Sequence, residues 1–368
     1  MTLSTQSGIV AQTRRASAAA ERIRDWLLSP AVQLRDGIQA GGVAGSLAAN
    51  GRPRYVYPEI TGYFLHWLAE SSLADGGGDG SAAAAAANDW TARQLAGGAV
   101  PRTRSYLDAE EPADWRNDAA FFFDLAMLLR GLSAAAQARL IATPRTLLAC
   151  LIEQLGRFVD AAGSMRAMLP LRADALLPQR WSTRAGPFEV KAAARVLLTR
   201  RLVALPANLE AACTRLIEEF APQAREMSIG MLHPTLYFAE GMLVARPRDA
   251  VAVGLLLQRI LRLRQRDGSL PEAETGSTVP RSDIVAQALR VGLLLRAQGV
   301  ESAPADDTLA ALAVSLLSRV GANGSVCFRS DATAPEANVW CALFAEQALR
   351  WFSWSCDGHP LPEAQWLV

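Results

Sequence analysis

Residues 267–295 read DGSLPEAETGSTVPRSDIVAQALRVGLLL, and they combine a Gly-containing loop, an irregular link and a helix. From Ser282 onward, apolar residues recur at three- and four-residue spacing, which is typical of a helix with a buried face. The Asp-Gly pair and the two prolines that follow it are typical of loops that end one helix and precede the next. The stretch therefore predicts the link and second helix of a helical hairpin.

The same arrangement recurs along the chain. The second helices of six such hairpins are predicted to begin near residues 58, 117, 188, 233, 282 and 337. The repeats differ in length, and each is long enough for two helices and their loops. Six hairpins predict an all-α chain folded as an (α/α)6 toroid, with six inner and six outer helices around one cavity. An open superhelix of repeats is the alternative, but its repeats are normally shorter, at about 34–47 residues.

Composition limits the classes of protein. The 368 residues are 51% hydrophobic, and the formal net charge is +1. No apolar run approaches the ~20 residues that a transmembrane helix needs, so no membrane association is expected. The balanced charge argues against a nucleic-acid partner, which requires a concentrated basic face. The polar N-terminus lacks the apolar core of a secretory signal, and we expect a cytoplasmic protein. A single domain is predicted over 1–368, with a flexible tail over 1–14.

Metal and cofactor motifs are missing from the sequence. The five cysteines are widely spaced and the chain contains three histidines, so close Cys/His ligand spacing for zinc is absent. No G-x-x-x-x-G-K-[ST] loop, G-x-G-x-x-G turn or G-x-S-x-G elbow is present. We therefore expect neither a metal nor a cofactor, while the oligomeric state stays open.

Three inner-helix segments resemble those of known toroidal enzymes. FFFDLAMLLRGL (121–132), FEVKAAARVL (188–197) and HPTLYFAEGML (233–243) are similar to helices of glucuronyl epimerases and N-acylglucosamine 2-epimerases. The resemblance covers residues 40–355 and implies a carbohydrate-active enzyme, a hydrolase, lyase or epimerase. Such an enzyme would use acid/base residues in the toroid cavity on a small-molecule saccharide or uronic-acid glycan.

Two alternatives stay open. The hairpins that begin at DGS and NGS also resemble those of terpenoid cyclases and prenyltransferases, which implies a biosynthetic enzyme for an apolar or peptide substrate. The chain lacks the DxDD acid cluster and the zinc ligands of those enzymes. A toroid that binds without catalysis is the other alternative, because one scaffold hosts many functions.

The candidate site residues lie in the loops and first turns of the inner helices. Exposed backbone N–H groups at such helix starts favour anionic ligands. The catalytic candidates are Glu59, Asp118, His233 and Tyr237. The candidates for substrate binding are Tyr57, Tyr63, Asn117, Asp124, Lys191, Glu240, Arg281, Asp283, Asn338 and Trp340.

Each main candidate also has a structural interpretation. Tyr57, Pro58 and Tyr63 could desolvate Glu59 and raise its pKa, as a general acid requires, but an acid also stabilises any helix start. Either Asp118 or Asp124 could complete a pair of acids with Glu59, as in glycoside hydrolysis.

On the fourth inner helix, His233 and Tyr237 are four residues apart and share a face, which suits acid/base chemistry. A histidine at a helix start can equally be structural. The start at Ser282 and Asp283 can serve as a cap, which explains Arg281 and Asp283 without a catalytic role. Asn338 and Trp340 could bind a sugar ring, although Trp340 fits a core position as well.

Overall fold

The computed structural model describes residues 3–75, 80–108, 112–329 and 336–368. Twelve α-helices lie within these residues: α1 (Leu3–Leu27), α2 (Pro58–Asp75), α3 (Gly80–Gln94), α4 (Phe122–Gln137), α5 (Arg145–Gly156), α6 (Glu189–Thr199), α7 (Ala207–Phe220), α8 (Leu232–Ala245), α9 (Ala250–Leu261), α10 (Ser282–Ala297), α11 (Asp306–Leu317) and α12 (Val339–Cys356). The strands are short: β1 (Ala44–Leu47), β2 (Pro53–Val56), β3 (Ser105–Tyr106), β4 (Ala119–Phe121), β5 (Met168–Pro170) and β6 (Ala337–Asn338). Among the helices described, none combines the length and the hydropathy required to cross a lipid bilayer.

Even-numbered and odd-numbered helices differ in burial. α10 is buried without interruption from Ser282 to Leu295, whereas α11 buries one face. A helix buried on all sides lies inside a helical layer, and an amphipathic helix covers it from the solvent side. The inner helices begin at Pro58, Phe122, Glu189, Leu232, Ser282 and Val339. These positions confirm the predicted series of six hairpins in an all-α chain.

The chain contains two compact units, which we call the first unit (Leu28–Phe220) and the second unit (Met1–Leu27 with Ala221–Val368). In the first unit, α4 packs between α2 and α6, and α3, α5 and α7 each cover one inner helix. In the second unit, α10 packs between α8 and α12, while α9, α11 and α1 take the outer positions. The single domain over 1–368 stays a prediction.

A helix occupies the N-terminal region in which a flexible tail over residues 1–14 is predicted. α1 already begins at Leu3. Its residues Ala16, Ala19 and Ile23 are fully buried, and α1 packs against α12 and α11. These buried residues lie after position 14, and α12 begins more than 300 residues later in the chain. The flexible tail over 1–14 stays a prediction.

Short strands precede two inner helices of the first unit. β2 pairs antiparallel with β1 and β3, and it ends two residues before α2 begins. β4 pairs antiparallel with β5 and runs directly into α4. Because paired strands fix the backbone on the approach to each helix, they also fix the side chains of the first helical turns.

Candidate functional site

Ionisable side chains occupy the starts of five inner helices. The first turns of α2, α4, α6 and α10 carry Glu59, Asp124, Glu189 and Asp283. His233 is the second residue of α8. Carboxylates are favoured at these positions because the first N–H groups of a helix carry partial positive charge. Helix stabilisation alone is enough to explain an exposed acid at such a position. A functional role is therefore considered only for side chains that are buried or have specific partners.

In the first unit, Glu59 and Asp124 form what we call the carboxyl pair, and Tyr57 lies between them. The Tyr57 hydroxyl donates a hydrogen bond to Asp124 Oδ1 at 3.3 Å and is also hydrogen-bonded to Glu59. Asp124 is 8% exposed, while Glu59 is half-buried. Asp124 Oδ2 is buried and has no hydrogen-bond partner among the described residues. The structure thus brings Tyr57, Glu59 and Asp124 together.

Burial controls the protonation of the carboxyl pair. Desolvation, followed by the negative charge of Glu59, raises the pKa of Asp124 well above its ordinary value. The pKa of Tyr57 is also raised, first by burial and then by the charges of Asp124 and Glu59. Two neighbouring carboxyl groups resist losing both protons, and burial favours the protonated form of Asp124.

Arg104 and Arg116 flank the carboxyl pair, and Asp114 forms an ion pair with each of them. Asp114 lies 3.3 Å from Arg104 Nη1 and 2.9 Å from Arg116 Nη1. The Arg104 backbone N–H donates to Asn117 Oδ1 at 2.8 Å, and Asn117 Nδ2 donates to the Arg104 carbonyl at 2.9 Å. Asn117 therefore positions Arg104. Both arginine charges act to lower the pKa of Asp124, although burial outweighs them.

Tyr63 and Lys191 lie deeper in the first unit. Both side chains are buried, and Lys191 Nζ lies 4.8 Å from the centroid of the Tyr63 ring. On the same ring, the Arg130 guanidinium lies at 5.7 Å, and Arg130 Nε donates to His66 Nδ1 at 3.1 Å. Binding of substrate by Tyr63 and Lys191 stays a prediction.

Asp118 has a different environment from Asp124. Asp118 ends a 3₁₀ turn over 115–118, and Arg172 Nη1 lies 3.7 Å from its Oδ1 atom. The Asp118 side chain is 36% exposed. The ion pair and the exposure give Asp118 a surface setting, whereas burial and the hydrogen bond of Tyr57 select Asp124 as the partner of Glu59.

In the second unit, His233, Asp283 and Gln287 form what we call the histidine cluster. His233 Nδ1 lies 2.7 Å from Gln287 Oε1 and 3.3 Å from Asp283 Oδ2. Asp283 also accepts two hydrogen bonds from Arg281, at 3.1 Å from Nε and 2.6 Å from Nη2. Trp340 Nε1 donates to Asp283 Oδ2 at 3.3 Å. The structure thus brings His233, Arg281, Asp283 and Trp340 together.

The histidine cluster contains a neutral imidazole beside an ionised carboxylate. Burial lowers the pKa of His233 to about 4. Burial acts to raise the pKa of Asp283, but the charge and hydrogen bonds of Arg281, together with the hydrogen bond from Trp340, outweigh it and lower the pKa to about 2. An ionised carboxylate only accepts hydrogen bonds, so Nδ1 of His233 carries the proton and Nε2 carries the lone pair. This tautomer is that of a histidine base.

The remaining candidates of the second unit have defined structural partners. The ring centroids of His233 and Tyr237 are 4.3 Å apart, on the face that the four-residue spacing predicts. Asn338 Oδ1 accepts a hydrogen bond from Cys341 N at 2.9 Å and caps α12. Glu240 is fully buried, and Arg290 Nη2 donates to its Oε1 at 2.7 Å. Substrate binding by Asn338 and Glu240 stays a prediction.

Sequence patterns alone do not single out several residues of these clusters. Arg104, Asp114 and Arg116 lie in the loop before α4, where no periodicity applies. Gln287 lies one helical turn after Asp283, and this four-residue spacing is a signal that could have revealed it. No group of three or more His, Cys, Asp or Glu side chains that could hold a metal ion lies in the described part of the chain.

Comparison with known proteins identifies the fold. No protein-family model and no curated protein sequence matches the chain. Among solved structures, a D-mannose isomerase is 10% identical with a TM-score of 0.68, covering 92% of this chain and 97% of its own. A cellobiose 2-epimerase from Spirochaeta thermophila is 15% identical with a TM-score of 0.64, covering 88% and 92%. An unsaturated glucuronyl hydrolase specific for heparin is 11% identical with a TM-score of 0.65, covering 93% and 96%. The chain therefore has the α/α-toroid fold of these sugar-processing enzymes.

Proposed function

We propose that the chain is a carbohydrate-active enzyme that hydrolyses a glycosidic bond in a saccharide or uronic-acid glycan, with Asp124 as the acid and Glu59 as its partner. The observation that carries this proposal is the Tyr57 hydroxyl, which contacts both carboxyl groups while burial keeps Asp124 protonated. Hydrolysis requires one protonated and one ionised carboxyl group on either side of the bond. The sugar-processing enzymes with the same fold lend support to this substrate class.

The shared hydroxyl limits the spacing of the two carboxyl groups. Oxygen atoms that both hydrogen-bond one hydroxyl lie within about 6 Å of each other. This limit favours the ~5–5.5 Å carboxyl separation of retaining enzymes over the ~6.5–9.5 Å of inverting ones. We therefore assign Glu59 the role of nucleophile rather than that of a base acting on water.

The reaction then has two steps. Asp124 donates its proton to the glycosidic oxygen while the bond from that oxygen to the anomeric carbon breaks and Glu59 forms a bond to the same carbon. In the second step, ionised Asp124 accepts a proton from water, whose oxygen bonds to the anomeric carbon and displaces Glu59. One water molecule is consumed, and the anomeric configuration is retained.

Turnover of a panel of neutral glycosides and uronides tests this assignment. We expect Asp124→Asn and Glu59→Gln to lower kcat/KM by ~10²–10⁴-fold, as for loss of acid/base groups, at unchanged Tm. Asp118→Asn is the matched control, because Asp118 is partly exposed and paired with Arg172. NMR of the first-formed product checks retention. Saccharide binding without turnover by the wild type, or equal activity of all three variants, would contradict the proposal.

A second candidate function is sugar epimerisation or isomerisation with His233 as base. The observation that favours it is the contact of His233 Nδ1 with Asp283 and Gln287, which leaves the lone pair on Nε2. Such a base removes the proton from the carbon next to the carbonyl of an open-chain sugar, and the proton returns from solvent. In D2O, the wild type would then incorporate deuterium at C2 of the sugar and His233→Gln would not. Incorporation that persists in His233→Gln would exclude this role.

A further inference from the structure

A surface cavity of about 610 Å³, widely open to solvent, lies in the first unit, outside the carboxyl pair. Its lining residues are Trp115, Ala175, Leu176, Leu177, Pro178 and Arg180. The volume lies within the ~300–1,000 Å³ range of small-molecule sites. The lining combines four aliphatic residues with one aromatic ring and one cation. Such a lining suits a ligand that has both a hydrophobic face and a negative charge.

Arg180 supplies the positive charge of the cavity. Its guanidinium carbon lies 5.9 Å from the centroid of the Trp115 ring, and its side chain is exposed. Within residues 3–75, 80–108, 112–329 and 336–368, Arg180 has no carboxylate partner. The neighbouring Arg116, by contrast, is paired with Asp114 at 2.9 Å. Among these residues, no carboxylate competes for the five N–H donors of Arg180, which suits an anionic ligand.

Trp115 and Arg116 connect the cavity with the carboxyl pair. The Arg116 guanidinium carbon lies 4.7 Å from the centroid of the Trp115 ring. The same ring contacts Arg180 and, at 6.1 Å between ring centroids, Phe121. The charge of Arg116 also acts on Asp124 and lowers its pKa against the effect of burial. Phe121 directly precedes α4, whose first turn carries Asp124, so the cavity wall lies beside the start of that helix.

We propose that this cavity is a subsite for an anionic sugar residue, bearing a carboxylate or a sulfate, that neighbours the residue held at the carboxyl pair. Arg180 binds the anionic group, and Trp115 with Leu177 and Pro178 contacts the apolar face of the ring. Guanidinium groups bind carboxylate and sulfate oxygens through paired N–H donors. The inference rests on the proposed function, and it assigns the glycan a negative charge at one defined position.

Calorimetric binding of three oligosaccharides tests the subsite. The ligands share one backbone and differ at one residue, which is neutral, a uronate or sulfated; the inactive Asp124→Asn protein serves as background. We expect Arg180→Ala to weaken binding of the charged ligands ~10- to 100-fold and to leave the neutral ligand unchanged. The two charged ligands distinguish carboxylate from sulfate recognition. Arg180→Lys should restore part of the affinity, because it keeps the charge but loses the paired donors.

Arg184→Ala is the matched control. Arg184 lies in the same loop, is exposed, and donates from Nε to Gln179 Oε1 at 2.7 Å, so its loss removes the same charge outside the cavity. We expect less than ~3-fold weakening, as for a screened surface charge. Equal weakening by Arg180→Ala and Arg184→Ala, an equal loss for the neutral ligand, or no binding of any of the three ligands would overturn the subsite.

The outcome is separable from that of the proposed function. If Asp124→Asn keeps the turnover of the wild type but Arg180→Ala selectively weakens the charged ligands, the catalytic assignment fails and the anionic subsite stands. The opposite outcome is also possible: Asp124→Asn abolishes turnover, while adding Arg180→Ala to the Asp124→Asn protein leaves its affinity for all three ligands unchanged. In that case the subsite proposal fails and the proposed hydrolysis stands. Arg180 is exposed and outside the core, so the binding readout does not depend on a difference in folding, and the unchanged Tm expected for Asp124→Asn controls the turnover readout.

Discussion

Gly131 of α4 lies directly against the backbone of Gly62 of α2. A Cβ atom at Gly131 would overlap the Gly62 carbonyl oxygen, and one at Gly62 would overlap the carbonyl oxygen of Met127. The two inner helices therefore approach as closely as their backbones allow. This approach keeps the first turns of α2 and α4 together, and those turns carry Glu59 and Asp124.

Substitution of Gly131 by Ala should separate α2 from α4. Because backbone atoms must move to admit the methyl group, we expect a loss of about 1–3 kcal/mol in the free energy of unfolding, as for overpacked cores. Denaturant unfolding measures this loss. Activity should fall as well, since the carboxyl pair lies at the ends of the same two helices.

The control for this substitution is Gly156→Ala. Gly156 ends α5, and a Cβ atom there would meet nothing within 4 Å. Ala is a better helix former than Gly, so stability should stay unchanged or rise by up to about 1 kcal/mol. Equal stability of Gly131→Ala and the wild type would show that the contact between α2 and α4 adjusts without strain.

Glu189 predicts a loss of stability at alkaline pH. Its side chain is fully buried, and neither carboxyl oxygen has a hydrogen-bond partner among the described residues. Burial raises its pKa from 4.5 to about 8. In the unfolded chain, the Glu189 carboxyl group ionises at a lower pH than in the folded protein. Its contribution to the free energy of unfolding is therefore complete below pH 4.5 and is lost as the pH rises to about 8. The loss is on the order of 3–5 kcal/mol.

Glu189→Gln should remove this dependence, because an amide does not ionise. Unfolding by guanidinium chloride at pH 5 and at pH 8.5 checks the prediction: the variant should gain stability relative to the wild type at the higher pH. Glu218→Gln, at an exposed position of α7, is the control and should follow the wild type at both values. A constant difference between Glu189→Gln and the wild type would refute the assignment.

His233 predicts a loss of stability in acid. Its pKa is lowered to about 4 by burial, against 6.5 for the ordinary side chain. The unfolded chain therefore binds a proton at pH values where folded His233 stays neutral. The contribution of His233 to the free energy of unfolding is complete above pH 6.5 and is lost as the pH falls to about 4. The loss is about 3 kcal/mol. His233→Gln should show a smaller loss over this interval in denaturant unfolding, and an identical loss would contradict the prediction.

The tautomer of His233 is open to a separate measurement. ¹⁵N NMR at neutral pH should show a proton on Nδ1 and an unprotonated Nε2, because Asp283 and Gln287 accept from Nδ1. Asp283→Asn removes the negative charge that favours the imidazolium, so the pKa of His233 should fall further. A rise in that pKa would show that another group controls the imidazole.

The sequence predicts the six inner helices because their signals are local. Periodicity and Gly/Pro loops act over one or two turns, so the predicted starts near 58, 188, 233 and 282 lie within one residue of the observed ones. The N-terminal helix α1 packs against α12, which is distant in the chain. Local patterns contain no information on such a partner.

The candidate site is predictable only in part, for the same reason. Sequence periodicity is sufficient to predict where the inner helices begin. It therefore predicts that Glu59, Asp124 and Asp283 lie in first helical turns. The choice of Asp124 over Asp118 as the partner of Glu59 depends on a hydrogen bond of Tyr57 across 67 residues. This contact is fixed by strand pairing and by the approach of two helices, which sequence periodicity does not specify.

Arg290 and Glu240 form a fully buried ion pair in the second unit. Arg290 Nη2 donates to Glu240 Oε1 at 2.7 Å, and its Nη1 donates to Gln347 Oε1 at 3.0 Å and to the Val368 carbonyl at 2.7 Å. Neither the Arg290 nor the Glu240 side chain is exposed to solvent. Arg290→Met would leave the Glu240 carboxylate without its cation in the interior. We expect a loss of about 3–5 kcal/mol in denaturant unfolding.

Glu240→Gln in the Arg290→Met background separates the charge from the packing. The neutral amide no longer needs a buried cation, so the double variant should be more stable than Arg290→Met alone. A double-mutant cycle with both single variants gives the coupling energy of the pair. If the double variant is no more stable than Arg290→Met, the loss belongs to the hydrogen bonds with Gln347 and Val368 rather than to the ion pair. The cycle therefore shows whether Glu240 depends on Arg290 for its charge.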